Sequence, residues 1–167
     1  MTARDRATAT AVPAGFAELP HAIGHIGVVG PLYLRHERRD AAHPEHDLVQ
    51  LGFRVEPRHC NPAGILHGGM MATFADMLLP LSAHRLSRAA AGRFLPTVSL
   101  QLDYLAPAPG GSWVHGEAQV LRTTRTMLFT QGLVWADGQL AARVSGILKL
   151  GPSFESLGLK IDGPPAE

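Results

Sequence analysis

Between Gly68 and Arg88 the chain carries a stretch that is apolar on nearly every side of a helix, and this stretch limits the fold more than any other feature. Its first turns, MMATFADMLLPL, offer no polar stripe to solvent. A helix that is hydrophobic all round is buried, not laid on a surface. At 1.5 Å per residue it is roughly 30 Å long. Arg85 and Arg88 fall in its last turn, where cations suit the negative end of the helix dipole.

Such a helix needs cover on most sides, and the rest of the chain reads as sheet. Ile23 to Leu34 is rich in Val, Ile and Gly and reads as a first strand or an irregular lead-in, and Arg35 to Asp47 as a charged, His-containing turn region. Leu48 to Val55 (LVQLGFRV) alternates as a strand does, and Pro57 and Pro62 bound the loop after it. Beyond the helix, Pro96 to Leu105 (PTVSLQLDYL) alternates up to a Pro107-Ala108-Pro109-Gly110-Gly111 turn. Trp113 to Arg122, Thr126 to Ala136 and Gln139 to Leu150 follow as strands, the last two joined by Asp137-Gly138, a strong two-residue hairpin signal. One long helix followed by four consecutive antiparallel strands makes the class α+β, with a sheet curling around the helix.

The 167 residues suit one domain with a core of its own. No linker or internal repeat divides them. The expected organisation is an N-terminal tail over 1–20, a domain over 21–151 and a C-terminal tail over 152–167. The first residues, MTARDRATATAVPAGFAELP, lack the apolar core of a secretory signal, and Asp5 weakens a transit-peptide reading. The stretch from Met70 to Leu81 is too short to span a bilayer and contains Asp76 and Pro80. With 15 basic and 14 acidic residues the formal charge is +1, so no global field favours nucleic acid or an anionic membrane. Cys60 is the lone cysteine, which excludes an intrachain disulfide. A cytoplasmic protein is expected.

Chemistry concentrates in Asn61-Pro62-Ala63-Gly64-Ile65-Leu66-His67-Gly68-Gly69 and the helix it opens. Gly68 and Gly69 lie at the helix start, where backbone N–H groups lack helical partners and the dipole is positive. Without side chains they let a ligand oxygen approach, so the site suits an anion or a developing oxyanion. Asp76 is the one charged residue between His67 and His84. A carboxylate buried there is costly unless it is paired or its pKa rises. Gly68 and Asp76, eight residues apart, are separated by about 12 Å along a helix. An attacking group and an oxyanion donor must both lie about 3 Å from the reacting atoms. If both residues are catalytic, one copy's Gly68 must work with another copy's Asp76. Pro80 removes the bond that would reach the Asp76 carbonyl and implies a mild kink.

The pattern N-P-x-G-x-x-H-G-G, with Asp seven residues after the second Gly, resembles the hotdog-fold acyl-CoA thioesterases of the phenylacetic-acid-degradation type, within the 4-hydroxybenzoyl-CoA thioesterase superfamily. The LDYLAPA segment and the DGQLAARVSG hairpin are similar to the same family, and the likeness runs from about Leu48 to Leu150. The resemblance implies a curved antiparallel sheet around a central helix, and two subunits that join their sheets. It implies that Gly68 donates its N–H to the thioester carbonyl and that Asn61 positions or polarises that carbonyl. Asp76 of the opposite subunit is then general base or nucleophile, Thr97 orients it, and His67 orients the loop or the substrate. Gly69 is implied at the substrate. Arg122, Thr124 and Arg125 fall where related enzymes meet the phosphates of coenzyme A. The substrate is an acyl- or aryl-coenzyme A, with no separate cofactor and no metal. The expected assembly is a homodimer or a tetramer built from dimers. Pro80, the His84-Arg85 helix end and the long Arg35–Asp47 segment depart from the family pattern.

Other readings are weaker. No His-based hydratase signature or Gly-x-Ser-x-Gly elbow occurs, and Cys60 lacks a clear partner. His21 with His25, and His43 with His46, have ligand-like spacing but sit in polar segments. The alternative from another class is a non-catalytic acyl-CoA-binding or regulatory module, against which the intact Asn61, Gly68 and Asp76 argue.

Overall fold

The computed structural model describes residues 11–20 and 24–158. Seven strands form one antiparallel sheet: β1 (Ala17–Glu18), β2 (Tyr33–Glu37), β3 (Leu48–Arg54), β4 (Thr97–Tyr104), β5 (Trp113–Thr123), β6 (Met127–Ala136) and β7 (Gln139–Lys149). Their order across the sheet is β1-β2-β3-β5-β6-β7-β4. A short helix α1 (His25–Val29) precedes β2, and the long helix α2 (Gly68–Leu86) lies between β3 and β4 in the chain.

The core forms where α2 meets the inward side of the sheet. Phe74, Leu78, Leu79 and Ala83 of the helix are buried with Leu51, Phe53, Val114, Leu128, Val134, Val144 and Leu148 of the strands. Alternation along β6 puts Leu128, Thr130 and Val134 inside and Phe129, Gln131 and Leu133 outside. Two glycines let the helix come close. A Cβ on Gly116 or Gly146 would lie 2.5 Å from a methyl of Leu78 or Leu79, respectively. The β6–β7 hairpin turns at Asp137 (φ 47°) and Gly138 (φ 83°), the paired positive angles that a tight two-residue turn needs.

Several expectations are corrected. The stretch before Leu34 holds the helix α1 where a strand was an option, and β2 then runs into the expected turn region as far as Glu37. That region is held by His36 Nε2 against Asp47 Oδ2 at 2.8 Å and by the Arg39 N–H on Asp47 Oδ1 at 2.9 Å. The four late strands are antiparallel, but β4 pairs with β7 and not with its sequence neighbour β5. After β3 the chain crosses the sheet as α2 and begins β4 at the far edge, leaving β5 to fill the place beside β3. At the N-terminus, β1 pairs with β2 and Phe16 packs edge-on against Trp113, so sheet begins inside the segment assigned to a tail. At the other end, Phe154 packs at a tilt against His84, with ring centroids 5.4 Å apart. Residues 1–10 and 159–167 lie outside the described residues. Among the described residues, no helix is long and apolar enough to cross a membrane.

The helix is also not covered all round. Gly69 and Asp76 are exposed and Thr73 and Pro80 half-buried, an open stripe at steps of four, three and four residues. The helix runs unbroken through Pro80.

Burial of His84, His59 and His115 pushes each imidazole below its ordinary value of 6.5. The unfolded chain takes up protons that these folded imidazoles refuse, so their contribution to stability is complete above that value and is lost as pH falls below it. The melting temperature is expected to fall between neutral pH and about pH 5. His84→Gln should flatten part of that slope, as thermal scans at several pH values would show.

Candidate active site

The loop that opens α2 is a small, closed structure. Asn61 N–H donates to Ile65 O and Gly64 N–H to Asn61 O, each at 2.9 Å, with Gly64 at φ 74°. The loop is pinned to the Pro107–Gly111 turn by Leu66 N–H on Ala108 O at 2.8 Å and Gly110 N–H on Gly64 O at 2.9 Å. Two separate segments, NPAGILHGG and LDYLAPAPGG, therefore build one platform. Asn61 Oδ1 accepts the Ala63 N–H at 2.9 Å. That leaves the Asn61 amide nitrogen to donate elsewhere.

His67 caps the helix. Its backbone is extended (φ −63°, ψ 135°), and its Nδ1 accepts the Gly69 N–H at 2.9 Å. Both glycine amides lack helical partners, as expected, but a side chain takes one of them. The Gly69 N–H is occupied, and a Cβ on Gly69 would sit 3.0 Å from His67 Nδ1, so Gly69 makes room for the capping ring. The Gly68 N–H has no hydrogen-bond partner among the described residues. With the Met71 N–H on His67 O at 3.1 Å, the Gly68 and Met70 amides are the two first-turn donors without a partner among the described residues, and Gly68 is the outermost.

Asp76 is exposed, which corrects its expected burial. The sheet covers the opposite faces of α2, and this turn of the helix faces the open side of β4. Thr97 Oγ1 donates to Asp76 Oδ1 at 2.7 Å, so the structure brings these two expected site residues together. A bulge aims the threonine. The β4–β7 register shifts between Thr97 and Ser99, which leaves Val98 as the extra residue. Strict alternation would turn Thr97 away from the face that holds Leu100 and Leu102; the bulge returns it to the helix side.

Arg122, Thr124 and Arg125 sit at the β5–β6 turn. Thr124 Oγ1 accepts the Met127 N–H at 3.0 Å and so serves the turn itself. Arg122 and Arg125 are exposed. The pairs Thr97↔Leu148, Leu148↔Leu128 and Leu128↔Thr123 place this turn at the Asp76 end of the sheet. Three strand spacings, about 14 Å, separate it from β4. Within one copy, the structure does not bring these arginines to Gly68 and Asn61. Among the described residues, no three His, Cys, Asp or Glu side chains converge as a metal site would require. His43 and His46 stack with ring centroids 5.5 Å apart, and His21 lies outside the described residues.

Sequence reasoning missed Tyr104, the last residue of β4, whose hydroxyl donates to Gly68 O at 2.9 Å. The signal was its place in the LDYLAPA segment.

The family model described as Thioesterase superfamily matches residues 63–142. A Pseudomonas aeruginosa protein provisionally named an esterase is 31% identical over 139 residues, covering 83% of this chain and 97% of its own length. Human acyl-coenzyme A thioesterase 13 is 34% identical over 78 residues, 47% of this chain and 54% of that protein. Among solved structures, zebra fish thioesterase superfamily member 2 aligns with a TM-score of 0.64 at 27% identity, covering 77% of this chain and 88% of that one. With the antiparallel sheet wrapped on one long helix and these likenesses, the chain belongs to the thioesterase superfamily and is a thioester hydrolase of hotdog fold.

Proposed function

We propose that the protein hydrolyses acyl- or aryl-coenzyme A thioesters in sites shared between two copies of the chain. The observation that carries this reading is one helix that offers a Gly68 N–H without a partner among the described residues at its start and a solvent-facing, threonine-held Asp76 two turns on. Their separation of about 12 Å is too great for one site within a copy. The similarity to human acyl-coenzyme A thioesterase 13 supports the substrate class. The outer edge of β4 is unpaired among the described strands and exposes Val98 and Tyr104, with Leu105 beyond. Pairing with a second copy would cover that edge and bring its α2 alongside.

In this reading the Gly68 N–H and the Asn61 side-chain amide hold the thioester carbonyl oxygen. The partner's Asp76 is fixed at Oδ1 by the threonine of its own copy, leaving the other carboxylate oxygen to accept a proton from water. The water oxygen bonds to the carbonyl carbon, and the negative charge gathers on the oxygen held by Gly68. Collapse breaks the C–S bond, and the thiolate of coenzyme A leaves and takes up the proton. Arg122 and Arg125 are proposed to meet the coenzyme A phosphates. Coenzyme A enters as part of the substrate, not as a cofactor.

Gly68→Pro removes the donor and sets a ring methylene where its hydrogen pointed. Proline suits the first helical position, and the extended backbone of His67 is what a residue before proline prefers. This variant is expected to lose about a hundredfold in kcat. Co-expressed with Asp76→Asn, it should recover activity, because each mixed dimer holds one site with both groups intact. Random pairing gives about a quarter of the wild-type rate. Absence of recovery in purified mixed dimers would rule out the shared site.

A further inference from the structure

We infer that Tyr104 and His67 form a two-sided clamp on the peptide joining Gly68 to Gly69, and that Tyr104 is thereby a positioning residue for the Gly68 N–H. The inference rests on the proposed role of that N–H as the carbonyl donor. The two bonds fall on opposite ends of a single peptide unit. Its N–H, from Gly69, donates to His67 Nδ1 at 2.9 Å, and its C=O, from Gly68, accepts the Tyr104 hydroxyl at 2.9 Å. Both residues flanking this unit are glycines, which leaves its plane freer to rotate than at any other pair of residues. At the first turn, helical hydrogen bonds restrain only one side of each peptide. A donor that must meet a developing oxyanion gains from being fixed before reaction, because reorientation during the step costs part of its effect. The Gly68 N–H belongs to the preceding peptide and shares the Gly68 Cα with the clamped one, so the two side chains fix it from its C-terminal side.

The ring of Tyr104 adds a second contact. Its Cε1 and Cζ lie 3.6 and 3.7 Å from where a Gly68 Cβ would stand, so the ring closes one flank of the glycine. Tyr104 is 57% exposed and is the last residue of the edge strand. Among the described residues, side-chain hydrogen bonds join β4 to α2 at two points, Thr97 to Asp76 and Tyr104 to Gly68. One strand thus holds the helix at the acid and at the donor.

The test is kinetic. Tyr104→Phe keeps the ring and removes the hydroxyl. On hexanoyl-CoA and benzoyl-CoA, whichever the wild type turns over faster, its kcat is expected to fall about tenfold with KM within about twofold and the melting temperature unchanged. His67→Ala should do the same, His67→Ser should restore most of the rate by capping in its place, and the double variant with Tyr104→Phe should lose little more than either alone. The deciding comparison uses Gly68→Pro, which has no N–H to position. There Tyr104→Phe should change kcat by less than about twofold. A wild-type kcat in Tyr104→Phe, or an undiminished tenfold loss in the Gly68→Pro background, overturns the clamp. If Gly68→Pro alone retains full activity, the proposed donor itself falls, and that result is distinct from a failure of Tyr104.

Discussion

Asp76→Asn is expected to lower turnover of acyl-coenzyme A by about two to four orders of magnitude, while the fold and melting temperature stay near those of the wild type. The asparagine is nearly isosteric and can still accept the Thr97 hydroxyl that sits 2.7 Å from Asp76 Oδ1. It cannot take a proton from water at neutral pH. Because Asp76 is exposed and touches the core through its helix alone, its charge contributes little to stability in a single copy. The effect should therefore appear in kcat and leave KM little changed, as expected for a group that acts in the transition state. Free-thiol release from a panel of acyl-coenzyme A substrates, measured beside circular dichroism and thermal melts, checks it. Retention of more than about a tenth of the wild-type rate would remove Asp76 from the reaction. Binding without release by the wild type across aliphatic and aromatic substrates would favour a non-catalytic module.

Phe74→Ala should cost about 3–5 kcal/mol of stability. Phe74 is fully buried, its ring lies 5.0 Å from that of Phe53, and its edge comes within 3.3 Å of where a Gly116 Cβ would be. It therefore fills the space between α2 and the strands β3 and β5. Removing the ring leaves a void in a layer that cannot close, since the helix already rests on glycine saddles at Gly116 and Gly146. Against a typical total of about 5–15 kcal/mol, this is a large fraction. Denaturant unfolding at one fixed protein concentration measures it, because association would shift the midpoint. Phe74→Leu should cost far less. A loss below about 1 kcal/mol for Phe74→Ala would mean that the core is not organised around this ring.

Much of the architecture was legible in the residues. The helix start at Gly68 followed from the glycine pair and the apolar run, and the helix ends at Leu86, two residues before the expected Arg88. The late strands stand within a residue or so of their expected limits because alternation and the Asp137-Gly138 turn are local signals. Strand order was not legible. Where β4 lies depends on how α2 crosses the sheet, a long-range choice that no local pattern encodes. The sequence HIGVV of α1 offers β-branched residues and too few turns for a helical period, so it reads equally as strand.

Of the contacts in the candidate site, one was legible in the sequence: Thr97 was expected at Asp76 and does meet it. The expected burial of Asp76 failed because an apolar neighbourhood in sequence need not be an enclosed one in space. Gly69 looked like a second donor because two adjacent glycines at a helix start read alike. Only the His67 ring distinguishes them, and a side-chain cap at one atom leaves no periodic trace. Tyr104 escaped for the same reason.

The bulge in β4 bears on what the chain can tolerate there. Val98 is 56% exposed, and its side chain is not among those packed into the core. The kink absorbs one backbone unit between Thr97 and Ser99, and so keeps Thr97 opposite the inward-facing Leu148. A chain shortened there by one would pair without a kink and still turn its threonine toward the helix, because regular alternation from Ser99 puts the next residue inward. A chain that kept the residue and ironed the kink flat would point its threonine at solvent.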